Sequence, residues 1–167
     1  VWETAVVNGT TVGVNQGLQC GLVAEAVANG ALYELGGYAR IERPTAIPHV
    51  DFLLTPRENS GYPVCKVAIA PVYRKDGVDL LFPDGVDVAN HYVLRTLENA
   101  LRAGERAVLL PLAQRIDAIG VRAAWQADAP FLAKLRDLYD KGLEIICCGC
   151  SVSSQGVRIA ARLPFMF

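Results

Sequence analysis

His49-Val50-Asp51-Phe52-Leu53-Leu54-Thr55 and, beyond a turn through Asn59-Ser60-Gly61, Tyr62-Pro63-Val64-Cys65-Lys66-Val67-Ala68-Ile69-Ala70-Pro71 decide how this chain folds. Both runs are rich in apolar and β-branched residues and are divided by turn formers, which is the pattern of a β-hairpin. Side chains alternate along a strand, so Val64 and Lys66 point one way and Cys65 and Val67 the other. An aspartate on the first strand and a lysine on the second suggest the centre of a metal-dependent phosphodiesterase. There, carboxylates hold a divalent ion and a lysine positions or activates water. A second carboxylate is expected two residues before the lysine, and that position is Val64. No Asp or Glu lies anywhere between Asn59 and Lys75. The hairpin reads as a nuclease centre with one ligand removed.

The rest of the composition suits a single α/β domain over 1–167. Its 167 residues are enough to bury a core, and 52% hydrophobic content excludes a disordered chain. A net charge of −1 offers no global attraction to a polyanion, so nucleic-acid binding needs a local basic surface. No apolar run is long enough to span a bilayer, so no membrane association is expected. Five cysteines without disulfide-framework spacing point to a reducing, intracellular compartment, cytoplasm or organellar matrix.

Outward from the hairpin, the pattern alternates. Trp2 to Val14 forms a hairpin around Asn8-Gly9, the pair best suited to the positive φ angles of a type I′ turn. Leu18, Leu22, Val23, Ala26 and Val27 recur at helical spacing within Asn15 to Asn29, and Gly30 stops the helix. A strand follows near Ala39–Arg43. Arg74 to Gly85 reads as a loop, Val86 to Arg102 as a helix, and Ala107 to Leu112 as a strand covered on both faces. Ile116 to Asp128 reads as a loop or excursion. A helix over Pro130 to Lys141 has proline in its first turn. Strands over Leu143–Val152 and Val157–Leu163 close the chain. Strand, helix and strand at this spacing make a right-handed crossover, so parallel pairs sit beside antiparallel hairpins.

Other chemistries are weaker. Cys147 and Cys148 face opposite sides of a strand and have no histidine near them in sequence, which suits buried small residues better than zinc ligands. Cys65 points away from Lys66, which argues against an activated thiol. His49 and His91 lack any surrounding motif, and Gly36, Gly37 and Gly61 lack phosphate-loop spacing. Glu34, Asp51, Lys66 and Asp84 remain as one candidate constellation, although a helical glutamate such as Glu34 is more often solvated.

Ordered along the chain, Val14-Asn15, Glu34-Leu35 with Gly37-Tyr38, Val50-Asp51-Phe52, Phe82-Pro83-Asp84, Gly142-Leu143-Glu144-Ile145 and the tail Gly156 to Pro164 resemble the sugar fermentation stimulation protein A family. The resemblance implies a mixed central sheet flanked by helices, of the restriction-endonuclease-like kind. It maps the family's metal-binding acids to Glu34 and Asp51, its lysine to Lys66, and the acid of its Glu-x-Lys motif to Val64. Where members carry threonine, arginine, glycine, lysine and histidine, this chain has Asp87, Ala89, Asn90, Tyr92 and Val93; an early helical asparagine is Cys20. Members typically have an oligonucleotide-binding-like segment ahead of this region, and the expectation here is a degenerate member lacking it.

These losses fall where substrate and metal meet. Mg²⁺ needs well-placed hard oxygen ligands, and valine supplies none. Absent cations remove phosphate anchors as well. The expectation is a catalytically inactive nuclease homologue with vestigial Glu34, Asp51 and Lys66 and no bound cofactor. It would serve with protein partners as a structural or weakly DNA- or RNA-binding subunit of a larger assembly, for which an organellar (mitochondrial) ribonucleoprotein is one setting. Asp84 and Arg95 are candidate contacts, with Arg40, Arg43 and Arg74 as further scattered cations. The alternative is an active Mg²⁺-dependent DNA or RNA nuclease in which Glu58, Asp76 or Asp84 replaces the missing acid.

Overall fold

Asn8 and Gly9 adopt φ angles of 50° and 80°, as a type I′ turn requires, and join β1 (Thr4–Val7) to β2 (Thr10–Gly13) in antiparallel register. The computed structural model describes residues 4–167; Trp2, expected at the start of this hairpin, lies outside the described residues. A short 3-10 turn leads into α1 (Gln19–Ala28), and a second, Tyr33–Leu35, leads into β3 (Tyr38–Glu42). The central hairpin is β4 (Phe52–Pro56) and β5 (Cys65–Pro71), with Leu53 opposite Lys66.

Two segments read as loops contain strands. Arg74 to Gly85 holds β6 (Lys75–Asp76) and β7 (Asp79–Phe82), paired across a turn in which Gly77 has a φ of 60°. After α2 (Val88–Arg102) and β8 (Arg106–Ala113), the excursion holds β9 (Gly120–Ala123), parallel to β7. Both are too short for their alternation to stand out from the surrounding polar sequence. α3 (Ala129–Asp140) then precedes a strand broken into β10 (Glu144–Ile145) and β11 (Cys147–Ser153), followed by β12 (Gly156–Leu163) and β13 (Phe165–Met166).

The main sheet has seven strands in the path β12-β11-β8-β5-β4-β3, with β10 also on β8. β8 runs parallel to β5, β10 and β11, while β4–β5 and β11–β12 are antiparallel. A smaller sheet, β13-β9-β7-β6, and the β1–β2 ribbon complete the fold. Expected mixed pairing is present.

Alternation on the strands separates two cores. Leu22, Val23 and Ala26 of α1 pack with Phe52, Leu54, Cys65, Val67, Val108, Leu110, Cys148 and Cys150. Leu94 and Leu97 of α2 and Phe131, Leu132 and Leu135 of α3 pack with Ala68, Ala70, Ala107, Leu109 and Cys147 on the opposite face. β8 is therefore buried from both sides, as its continuous apolar run implies. Helix capping fixes where the second layer begins: Asp87 accepts the Ala89 amide at 2.8 Å, and Asp128 accepts that of Phe131 at 3.1 Å. All five cysteines are free, and burial raises the Cys65 thiol to about 12 and that of Cys148 to about 11. Among the described residues no helix is long and apolar enough to cross a membrane.

Leu110 is fully buried at the centre of the α1-side core. Leu110→Ala should lower unfolding free energy by about 2–5 kcal/mol in urea titrations, because a cavity forms in a layer held from both sides. A loss well below that range would mean the layer is not packed as described.

Candidate functional site

Asp51 enters the hairpin just before β4. Its amide donates to the Val67 carbonyl at 2.9 Å, and its Oδ2 accepts the Ile69 amide at 2.7 Å. Cys20, in the first turn of α1, approaches Oδ1 at 3.8 Å. Burial, with the Asp51 charge adding to it, raises the Cys20 thiol, so it faces the carboxylate as a neutral donor.

Val64 lies elsewhere along the same strand. Its carbonyl accepts the Arg106 amide at 2.8 Å, before the first β4–β5 pair of Leu54 with Cys65. Asp51 contacts β5 at Val67 to Ile69, three to five residues further along, which is roughly 10–17 Å at strand rise. The site expected from sequence places these positions together; the register separates them.

Glu34 occupies a third location. It follows the C-terminal end of α1, whereas Asp51 meets the N-terminal turn of that ten-residue, about 15 Å long helix. Arg162 on β12 grips both carboxylate oxygens of Glu34, at 2.7 and 2.8 Å. This grip holds the carboxyl below the usual glutamate range despite partial burial. Arg106 adds a bond to the Glu34 carbonyl at 2.8 Å while its guanidinium forks onto Glu144.

Lys66 shares the face of Ala68 and Ala70, towards α2, while Glu34 lies between Leu32 and Leu35 of the α1-side core. The Lys66 ammonium is 2.6 Å from Glu105 Oε2, an ion contact without the alignment of a hydrogen bond. Glu34, Asp51 and Lys66 thus have different partners, and Glu34 lies at the far end of α1 from Asp51. Among the described residues, no three His, Cys, Asp or Glu side chains are grouped to hold a metal. The donors near Asp51 are an amide and a thiol, which is a poor set for Mg²⁺.

A different group of polar residues gathers beyond the C-terminal end of β5. Gln16, Tyr73, Asp84, Asp87 and Asn90 line a cavity of about 420 Å³. Asp84 follows the cis Phe82–Pro83 peptide and accepts the Arg74 amide at 3.4 Å; burial raises its carboxyl. Tyr73 and Gln16 share this cavity with Asp84, and Gln16 lies just ahead of α1, whose first turn meets Asp51 through Cys20. Sequence reading picked out Asp84 but not Gln16 or Tyr73, which belong to no motif. Arg95 is exposed on α2 outside this cavity. His49 stacks on Tyr92 with centroids 5.4 Å apart, and His91 bonds Asp128 at 2.9 Å. Neither contact was visible from their isolated positions in sequence.

The mixed sheet with helices on both faces defines an α/β, restriction-endonuclease-like class of protein. Residues 17–156 match the family model described as the sugar fermentation stimulation protein RE domain. The sugar fermentation stimulation protein homolog of Paramagnetospirillum magneticum is 39% identical over 165 residues, covering 97% of this chain and 69% of that protein. That of Geobacter sulfurreducens is 33% identical over 168 residues, covering 99% and 70%. The structure of Pyrococcus furiosus SfsA in complex with Ca²⁺ superposes with a TM-score of 0.86 at 17% identity, over 99% of this chain and 71% of that one. The chain belongs to the sugar fermentation stimulation protein family.

The Glu34–Arg162 pair has a pH signature. Because pairing lowers the folded-state pKa of Glu34, its contribution is present above the ordinary value of 4.5 and is lost as pH falls through the lowered value. Glu34→Gln should destabilise the protein by about 1–2 kcal/mol at neutral pH. That difference should vanish on strong acidification, where the wild-type carboxyl is itself neutral. A difference independent of pH in urea melts would show that the ion pair is not its source.

Proposed function

We propose that this family member has lost metal-dependent cleavage and serves, with protein partners, as a structural or weakly nucleic-acid-binding subunit. One observation carries the reading: of the groups that the resemblance assigns to the family's chemistry, Glu34 is neutralised by Arg162 and Lys66 by Glu105 inside the protein. The resemblance further sets Val64, a side chain without oxygen, at the Glu-x-Lys position. An ammonium held by a carboxylate is unavailable to activate water, and releasing it leaves Glu105 uncompensated.

Nucleic-acid binding on this reading is non-specific. Exposed arginines such as Arg40, Arg43, Arg74 and Arg95 attract phosphate weakly, and affinity falls steeply with salt. The bacterial relatives lend no support to an organellar setting. The rival reading, an active nuclease, draws on Asp51 and the Asp84 cavity both lying by the start of α1 and on a relative whose structure was obtained in complex with Ca²⁺.

Titration with Mg²⁺ or Mn²⁺ should give no saturable, Asp51-dependent binding at millimolar concentration, and neither single- nor double-stranded substrates should be cut. Val64→Glu should not restore cleavage, since Asp51 meets β5 roughly 10–17 Å away from that position. Robust metal-dependent cleavage by the unmodified protein, abolished in Asp51→Ala, would establish the nuclease instead.

A further inference from the structure

At the end of the sheet opposite the Asp84 cavity, Tyr33, Glu34, Gly36, Tyr38, Tyr62, Pro63 and Arg106 line a hollow of about 270 Å³. Its aromatic content is unusual for a surface recess. Tyr33 is 74% and Tyr62 54% exposed, although such rings ordinarily gain by burial.

The surroundings hold these rings in place. Tyr38 and Tyr62 touch at a centroid distance of 5.8 Å, tilted by 46°. Tyr62 lies over Gly37, where an added Cβ would come within 3.1 Å of the ring and where φ is +84°. The Arg162 guanidinium sits 6.0 Å over the Tyr33 ring, supporting one face of it. Arg162 is itself fixed by Glu34, and Arg106 by Glu144 and the Glu34 carbonyl. The rings therefore stand on a charged scaffold that is already internally neutralised.

We propose that this hollow takes an unpaired nucleobase of a single-stranded nucleic acid, stacked on the exposed tyrosines. Every base offers a π face, and stacking of this kind tolerates sequence. The polar edges of the recess suit a base better than a proline ring. The Tyr38 hydroxyl, 3.5 Å from Arg106, and the Glu34 carboxylate can meet the donor and acceptor edge of a base, whereas proline brings no such edge. A duplex has no free base to insert, so the hollow selects single strands. The inference rests on the nucleic-acid-binding part of the reading above and adds its substrate class.

Because the local cations are paired, this contact is nearly independent of salt, unlike phosphate attraction. The experiment is fluorescence anisotropy of a short labelled oligothymidylate with the full chain in EDTA, over a series of salt concentrations. Tyr33→Ala and Tyr62→Ala should each weaken binding by about fivefold or more, leaving the salt slope unchanged, and Tyr33→Trp should retain it. Both side chains are exposed, so circular dichroism and melting should match the wild type. Wild-type affinity in both alanine variants, or no binding by the wild type, overturns the proposal. So does tyrosine-dependent binding of a proline-rich peptide in the absence of any tyrosine-dependent binding of the oligothymidylate. Cutting of the oligothymidylate when Mg²⁺ replaces EDTA would sink the loss-of-cleavage reading while leaving a tyrosine effect on affinity intact. Tyrosine variants that bind normally would do the reverse.

Discussion

Seven consecutive pairs, from Cys65 opposite Arg106 to Pro71 opposite Leu112, bind β5 to β8 in parallel. A parallel pair cannot be closed by a tight turn, and here the crossover carries β6, β7 and α2 before β8 begins. α2 and α3 cover one face of the pair and α1 the other. Positions inside these strands are largely shielded from water, and an unpaired charge there is costly. Charged chemistry is pushed to the strand ends: Arg106 with Glu144 and Glu34 at one, Asp84 near Tyr73 at the other. Lys66 is the interior exception, and it has Glu105 beside it.

What could be read from sequence follows from the same constraint. Strands and helices with a strong apolar period, such as Ala107–Leu112 and Pro130–Lys141, were legible because burial fixes their pattern. β6, β7, β9 and β13 are two to four residues long, too brief for a period to emerge, and their pairing depends on partners distant in sequence. The central hairpin was legible, yet its register was not. The long turn between its strands leaves their relative slide open, and only the Asp51 bonds to Val67 and Ile69 reveal where that residue sits. A candidate site inferred from residue types along a strand is hostage to that slide. Gln16 and Tyr73 escaped notice for a related reason: they belong to separate elements that meet only in the folded chain.

The fold makes few demands on the side chains of Val64, Asp87 and Cys20. Val64 contributes its carbonyl to the Arg106 amide, a bond that any residue could make. Asp87 caps α2 through a side-chain oxygen, a role that threonine, serine or asparagine could also fill. Cys20 faces Asp51 through only a weak donor. Backbone pairing and apolar packing around these positions are supplied by other residues.

Charge pairing also decides which ligands the two ends of the sheet can attract. With a net charge of −1 and its guanidinium groups at Arg106 and Arg162 already matched to Glu144 and Glu34, the tyrosine-lined end projects little field into solvent. What remains there is short-ranged: ring faces and hydrogen-bonding edges. Near the start of α2, Tyr92 stacks on His49, 10° from coplanar, and closes the β3–β4 connection onto the helix. Aromatic contacts thus stand beside neutralised ion pairs at the tyrosine-lined end and close a loop onto α2 near the other.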